Sequence, residues 1–401
     1  MKPIQVKRDK DGIFFARPYL GTNTITKKPI RPYKRFPEAR SEAEAQAMAE
    51  EWIKHHAAAA RFGVTQQLSE LLTRYVDWME AKKRPANTIK TYRSCIRRYV
   101  DPYIGSYDPE SLYPSDFDDL YDDLMLTGAL RREGGIDAST VVKFHWFLCG
   151  AFKWLNTEGL CNYNPMLSVV KPNAYTKEAI SYSDSDFAKL QAAFEEELHR
   201  EATTREAIFR RNAIFAAYLA FWNGTRCGET CAESRNDARM ALQFMHVGNN
   251  IEEYKGVHRV PHTKGGKKRN VSMFEDVIAA LYAHYEWQKT YLTEDQQRDG
   301  MTPICTTADG EFMRPSKVSE LYSDFRDELK LPENTSFHTL RHTHATWLLA
   351  EGVDWRTIQE RLGHADGAIT IKLYTHAIPG RDREAAQAFG NVAKRLGGVH
   401  R

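Results

Sequence analysis

The sequence lacks the features that would mark a membrane or disulfide-scaffold protein. No uninterrupted apolar run in its 401 residues reaches the roughly 18–20 needed to span a bilayer. The opening residues Met1, Lys2, Pro3, Ile4 and Gln5 begin no signal-type apolar stretch, so a cytoplasmic protein with no membrane partner is expected. Six cysteines without a C-x-x-C pair make neither a zinc ribbon nor a dense disulfide framework. Cys227 and Cys231, one helical turn apart, read as small buried residues. There is no G-x-x-x-x-G-K-[ST] phosphate loop, no internal repeat and no low-complexity segment.

What remains is ordinary in bulk and uneven along the chain. The hydrophobic fraction of 42% and charged fraction of 27% argue against a mainly disordered protein, and the length predicts two or three domains. The net charge of +3 hides a strong partition: residues 1–40 carry 11 basic and 3 acidic side chains. Residues 82–98 hold seven basic groups and no acidic one, whereas residues 107–123 hold seven acidic groups and no basic one. Basic stretches of this kind suit phosphate-rich partners.

Periodicity divides the chain into three. Strand-like runs at Ile13–Ala16, 22–26 and 31–36, then a helix from a Ser41/Glu44 capping box to about Ala60, predict a small basic sheet with one packed helix over residues 1–62. Residues 63–172 read as all-helical. Leu68, Leu71, Leu72, Tyr75, Val76 and Met79 mark one buried face, and Ile89, Tyr92, Ile96 and Val100 a second. Two further helices follow, one on Phe117, Leu120, Tyr121 and Leu124, the other on Val141, Phe144, Leu148, Phe152 and Leu155. Asn164-Pro165 and Lys171-Pro172 end this part. Residues 173–401 open with a helix capped by Ser183 and Asp186. They continue through an apolar helix over 213–222 and a hairpin of 257–263 with 269–274 around Lys264-Gly265-Gly266-Lys267-Lys268. The fold class expected is mainly α with small β-sheets.

Four clusters in the last part carry chemistry, each weak alone. Arg226 and Glu229 lie three apart after the apolar helix and can share a face. Lys264 sits at the hairpin tip. His338-Thr339-Leu340-Arg341-His342-Thr343-His344 lacks the glutamate of an H-E-x-x-H zinc site, since Thr339 stands there, so no metal and no cofactor are expected. His342 and His344 read as structural hydrogen-bonders. Leu362-Gly363-His364 closes a helix and is followed by Tyr374.

Taken in order, Arg226, Lys264, His338-x-x-Arg341, Leu362-Gly363-His364 and Tyr374 closely resemble the tyrosine recombinase, or phage integrase, family. The resemblance extends upstream. Residues 1–62 look like an arm-type DNA-binding domain, 63–172 like a helical core-binding (SAM-like) domain, and 173–401 like a mixed α+β catalytic domain. It implies a site-specific integrase of a phage or other mobile element that acts on double-stranded DNA at core and arm sites. On this resemblance catalysis would fall to Arg226, Glu229, Lys264, His338, Arg341, His364 and Tyr374. Tyr374 would form a 3′-phosphotyrosyl intermediate without metal or ATP, and Lys264 (or Lys267) would protonate the leaving 5′-oxygen. The resemblance also implies a homotetramer on DNA, with an excisionase or DNA-bending protein as possible helpers, in a bacterial host's cytoplasm and nucleoid. Phosphate contacts are expected from Lys82, Lys83, Arg84, Lys90, Arg93 and Arg97, and from Lys267, Lys268 and Arg269. Alternatives are a chromosome-dimer-resolving recombinase, which usually lacks such a basic extension, and a non-catalytic DNA-binding accessory protein of the same fold.

Overall fold

In the computed structural model the described residues are 5–9, 12–18, 21–22, 29–30, 34–61, 66–128, 134–175, 180–261 and 267–363. The chain divides into two compact units, 1–177 and 178–401. Among the described residues no helix is long and apolar enough to cross a membrane.

The first unit begins with strands β1 (Val6–Arg8), β2 (Phe14–Ala16), β3 (Gly21–Thr22), β4 (Pro29–Ile30) and β5 (Lys34–Phe36). Strands β1, β2 and β5 form an antiparallel sheet, and β3 pairs with β4 separately. The register sets Phe14 opposite Phe36, and both bury with Ala16. Ala45, Ala49 and Trp52 of helix α1 (Glu42–Arg61) are buried too, with Trp52 edge-on to Phe36 at 6.3 Å. The Ser41 hydroxyl accepts the Glu44 amide at 3.2 Å. The Glu44 carboxylate accepts the Arg40 amide at 2.8 Å, one residue upstream of a standard capping box.

Four helices complete this unit: α2 (Leu68–Ala81), α3 (Ala86–Cys95), α4 (Pro114–Thr127) and α5 (Ala138–Thr157). The buried residues of α2 are the six that the sequence periodicity marks, and α4 and α5 bury every expected position. The second expected face differs in part. Residues Ile96–Val100 wind as a π-turn, with the Asp101 amide donating to the Ile96 carbonyl at 2.8 Å. Cys95, just before this turn, is buried, while Tyr92 is half-buried with its ring 4.4 Å from that of Phe147. The sheet and the helices also touch through charge. Lys34 pairs with Asp119 of α4, and Arg35 donates to Thr127 and pairs with Asp9, so residues expected as a separate arm share one unit with the helices.

The second unit contains α6 (Asp184–His199), α7 (Arg205–Asn223) and α8 (Cys227–Thr230), then β6 (Ala238–Arg239), β7 (Phe244–Val247), β8 (Asn250–Glu252), β9 (His258–Val260) and β10 (Arg269–Ser272). It continues with α9 (Glu275–Gln288), α10 (Glu294–Arg298), α11 (Pro315–Glu328), α12 (Phe337–Ala350) and α13 (Trp355–Leu362). Ser183 caps α6 by accepting the Asp186 amide at 3.2 Å, as expected. Helix α7 is apolar nearly all round and runs through the core, with α6, α11 and α12 packed on it.

The expected hairpin is overturned. Strand β9 pairs with β8, and β10 pairs with β7 in a sheet ordered β10-β7-β6. The chain reverses at Tyr254-Lys255-Gly256, where Lys255 and Gly256 both have positive φ (54° and 139°). Both strand segments were legible, but β propensity does not name a partner. Lys264 itself lies outside the described residues.

One buried group makes a stability prediction. Glu233, 3% exposed, has no hydrogen-bond partner on either carboxylate oxygen among the described residues. Burial, then the charges of Asp237 and Glu229, push its pKa well above the usual carboxylate range against the pull of Arg269. A carboxyl kept neutral in the folded state and free to ionise in the unfolded chain costs stability as pH rises above its ordinary value. Replacing Glu233 with Met is expected to raise the urea midpoint by a margin that grows from pH 4.5 upward. A margin that does not change with pH would contradict the neutral buried carboxyl.

Candidate active site

Helix α7 ends on Gly224, in the left-handed conformation with φ 65°. A Cβ there would lie 2.7 Å from side-chain atoms of both His344 and Leu362, so glycine lets this turn press against α12 and α13. The Gly224 carbonyl accepts from Arg341 Nη1 at 2.7 Å, and the Leu362 carbonyl accepts from Arg341 Nη2 at 2.7 Å. Arg341, 2% exposed, thus joins the ends of α7 and α13 from the first turns of α12.

Beyond Gly224 the backbone is extended at Arg226, and α8 starts. Glu229 turns back on it. Its Oε2 accepts the Arg226 amide at 3.1 Å and its Oε1 accepts Arg226 Nη1 at 2.7 Å. From β10, Arg269 donates Nη2 to Oε2 at 2.8 Å and Nη1 to Oε1 at 3.4 Å. Arg341 Nη1 lies 3.9 Å from Oε2. One fully buried carboxylate is therefore shared by three guanidiniums. Burial opposes its ionisation, but the hydrogen bond and charge of Arg269, with the charge and amide of Arg226, hold its pKa down at about 2. Burial and the neighbouring Arg226 push Arg341 down to about 9 against the pull of Glu229, which leaves it charged at neutral pH.

The cluster carries a surplus of positive charge, and its guanidiniums differ in exposure. The Arg226 side chain is 22% exposed, against 7% for Arg269 and 2% for Arg341. A forked cation beside buried cations suits a tetrahedral oxyanion. His338, exposed in the first turn of α12, lines a cavity of about 190 Å³ with Cys227, the residue after Arg226. Its ring meets that of His342 edge-on at 4.5 Å, and burial and Arg341 push the His342 pKa down. Behind the cluster, Arg361 Nε donates to His344 Nε2 at 3.0 Å, and Arg361 also reaches the Trp222 and Ser272 carbonyls. Burial, then Arg361, push His344 down to about 3, so it stays a neutral hydrogen-bonder, as expected. Among the described residues no group of His, Cys, Asp and Glu is arranged to hold a metal ion.

Known proteins resemble this chain in sequence and in fold. Residues 195–381 match the model of the phage integrase family. The tyrosine recombinase XerD of Listeria monocytogenes serotype 4b is 24% identical over 307 residues, covering 76% of this chain and 92% of that one. The integrase of Staphylococcus phage L54a is 28% identical over 175 residues, or 41% of this chain and 48% of the relative. Among solved structures, the Tn1549 transposon integrase in complex with a circular intermediate DNA aligns with a TM-score of 0.62 at 17% identity, covering 81% of this chain and all of that one. A lambda integrase dimer bound to a core site aligns with a TM-score of 0.55 at 16% identity, covering 77% and 95%. These two likenesses are of fold.

Residues 195–381 of the chain carry a phage integrase family domain. The chain is a tyrosine-type site-specific recombinase, an enzyme of DNA strand transfer. In this recombinase the structure brings Arg226, Glu229, His338 and Arg341 into one neighbourhood. Lys264, His364 and Tyr374 lie outside the described residues. Two of the residues expected to contact phosphate are engaged within the protein. Arg269 points inward to Glu229, because it shares its strand face with buried Val271, an alternation that the sequence itself carried. Arg93 is held by Asp77 at 2.8 Å and Glu80 at 2.6 Å, acidic groups of the neighbouring α2 that the count within 82–98 left out. Lys82, Lys83, Arg84, Lys90, Arg97, Lys267 and Lys268 are exposed. The sequence reading missed the roles of Gly224, Arg269 and Arg361, since each acts through backbone carbonyls or buried partners that no local pattern displays.

Replacing Glu229 with Gln removes the anion and leaves three buried or half-buried guanidiniums facing each other, at an expected cost of about 3 kcal/mol at pH 7. A carboxyl with a lowered folded pKa contributes stability above its unfolded value and loses it as pH falls through the folded value. Urea unfolding should therefore show the gap between wild type and E229Q narrowing from pH 4.5 towards about 2. A gap that persists unchanged at pH 2 would refute the ion-pair account.

Proposed function

We propose that this recombinase is the integrase of a mobile element, cutting and rejoining double-stranded DNA through a covalent bond to Tyr374. The observation that carries the reading is the surplus of positive charge around Glu229, with Arg226 the most exposed of its three guanidiniums. A phosphodiester is an anion, and attack at phosphorus concentrates charge on its nonbridging oxygens. Forked guanidiniums in a buried, pre-ordered setting stabilise that charge more in the transition state than before it. Glu229 holds Arg226 in place in advance, so little reorganisation is left for the reaction itself.

In the proposed reaction the Tyr374 oxygen attacks phosphorus, a phosphorus–tyrosine bond forms, and the bond to the 5′-oxygen breaks. With a free pKa of about 10, the phenol needs cationic neighbours or a base, and His338 and His364 are suited to take its proton. Lys264, or Lys267, protonates the departing 5′-oxygen. Rejoining reverses these steps, with a 5′-hydroxyl attacking and the tyrosine leaving, and it draws on the energy kept in the phosphotyrosyl bond. The exposed cations Lys82, Lys83, Arg84, Lys90 and Arg97, together with Lys267 and Lys268, act as phosphate contacts that position the duplex. The basic residues 1–62 are proposed to bind arm sites, a feature that favours an integrase over a chromosome-dimer resolver. Assembly as a homotetramer on two duplexes, with an excisionase or bending protein, belongs to the same reading.

The deciding experiment uses a nicked duplex carrying the junction sequences that flank the gene's own element, with EDTA present. A protein–DNA adduct that survives denaturation is expected, absent in Tyr374→Phe and slowed roughly a hundredfold or more in Arg226→Ala. Equal adduct in the tyrosine variant would remove Tyr374 as nucleophile. A chain that binds the duplex without ever forming an adduct would be an accessory protein.

A further inference from the structure

We propose that Arg269 is a positioning residue of the recombination site, holding Glu229, and through it Arg226, in register with the end of α13 before DNA arrives. The proposal rests on the recombinase reading above. Arg269 faces two ways at once. Its Nη atoms hold both oxygens of Glu229, and its Nε donates to the Arg361 carbonyl in the last turn of α13 at 2.7 Å. Its side chain is 7% exposed, which removes it from contact with a phosphate. The socket is shaped for it: Gly363, with φ 66°, passes so close that a Cβ would lie 2.8 Å from Arg269 Nη1.

Three segments that are distant in sequence meet on this one fork. They are strand β10, the Arg226–Glu229 turn and the C-terminus of α13. In sequence these segments adjoin the residues assigned to catalysis. Arg269 follows Lys264 by five positions, the turn bears Arg226 itself, and His364 follows Gly363. Without Arg269, the Arg361 carbonyl loses the donor that ties it to β10. Glu229 is then free to turn towards Arg341, whose Nη1 already lies 3.9 Å away, and to release the Arg226 amide and guanidinium. A lysine restores the charge but not the fork, because one ammonium cannot reproduce the fixed spread of donors between a carboxylate and a carbonyl.

The test uses the full chain with Arg269→Lys and Arg269→Met, with thermal unfolding as the check on folding. Without DNA, hydrogen exchange at the Arg226 amide, which Glu229 accepts, should quicken about tenfold or more in Arg269→Lys as that hydrogen bond opens. On the nicked duplex, adduct formation at saturating DNA should slow roughly ten- to a hundredfold, as for a displaced catalytic group, while the affinity for the duplex changes less than about threefold. In an Arg226→Ala background the Arg269→Lys change should add less than about twofold, since a residue that acts through Arg226 has little left to act on. Unchanged exchange at the Arg226 amide overturns the proposal. So does an Arg269→Lys penalty that is as large without Arg226 as with it. If the unsubstituted chain forms no adduct, the recombinase reading fails, and the amide exchange still decides whether Arg269 holds the turn.

Discussion

The catalytic unit depends on one carboxylate placed among cations. Glu229 offers two oxygens, and Arg226 and Arg269 both bond to them, with Arg341 just beyond hydrogen-bond reach. Without that anion the three guanidiniums would repel one another in a setting where water screens them poorly. With it they are held together and still carry a net positive charge. The surplus is what a phosphate can use, and burial makes it effective because an ordered cation in a dry site needs no rearrangement when charge develops.

The three arginines divide the work by their second partners. Arg341 spends its fork on the Gly224 and Leu362 carbonyls and so ties α12 to the ends of α7 and α13. Arg269 ties β10 to α13, while Arg226 keeps the most exposed side chain of the three. Two left-handed glycines, Gly224 and Gly363, make the close approaches possible, each where a methyl group would strike a neighbouring side chain. The unit thus turns helix ends, where carbonyls lack intrahelical partners, into anchors for guanidinium groups.

Charge is arranged differently in the first unit. Lys34 and Arg35 of the basic sheet meet Asp119 and Thr127 of α4, and Arg93 meets Asp77 and Glu80 of α2. Opposite charges that are separate along the chain cancel in space, which is why counting charges by segment overstated the cations left for a partner. Lys82, Lys83 and Arg84, in the exposed stretch just after α2, keep their exposure.

Much of the helical frame was legible because burial on a helix follows a 3.6-residue repeat. The six apolar positions of α2 and the Ser183 cap of α6 needed no partner to be recognised. The site motif was legible for a related reason. Arg226 with Glu229, and His338 with Arg341, sit at spacings that one turn of helix brings together. Pairings across the chain were not legible. Strand β10 took β7 where a hairpin with the preceding strand was expected, and a π-turn at Ile96–Val100 interrupted the expected helix.

By itself the sequence determined the helices of the first unit with most of their buried faces, the segments of β9 and β10, and the family of chemistry, since these rest on local spacing and on residue types with few uses. Only the tertiary structure decided which strand each strand pairs with, that Arg269 turns to Glu229 and not outward to solvent, and that Arg93 is neutralised by α2. Those outcomes depend on what stands opposite in space. A guanidinium has the same sequence signature whether it faces water, a phosphate or a buried carboxylate, and its energy differs in each.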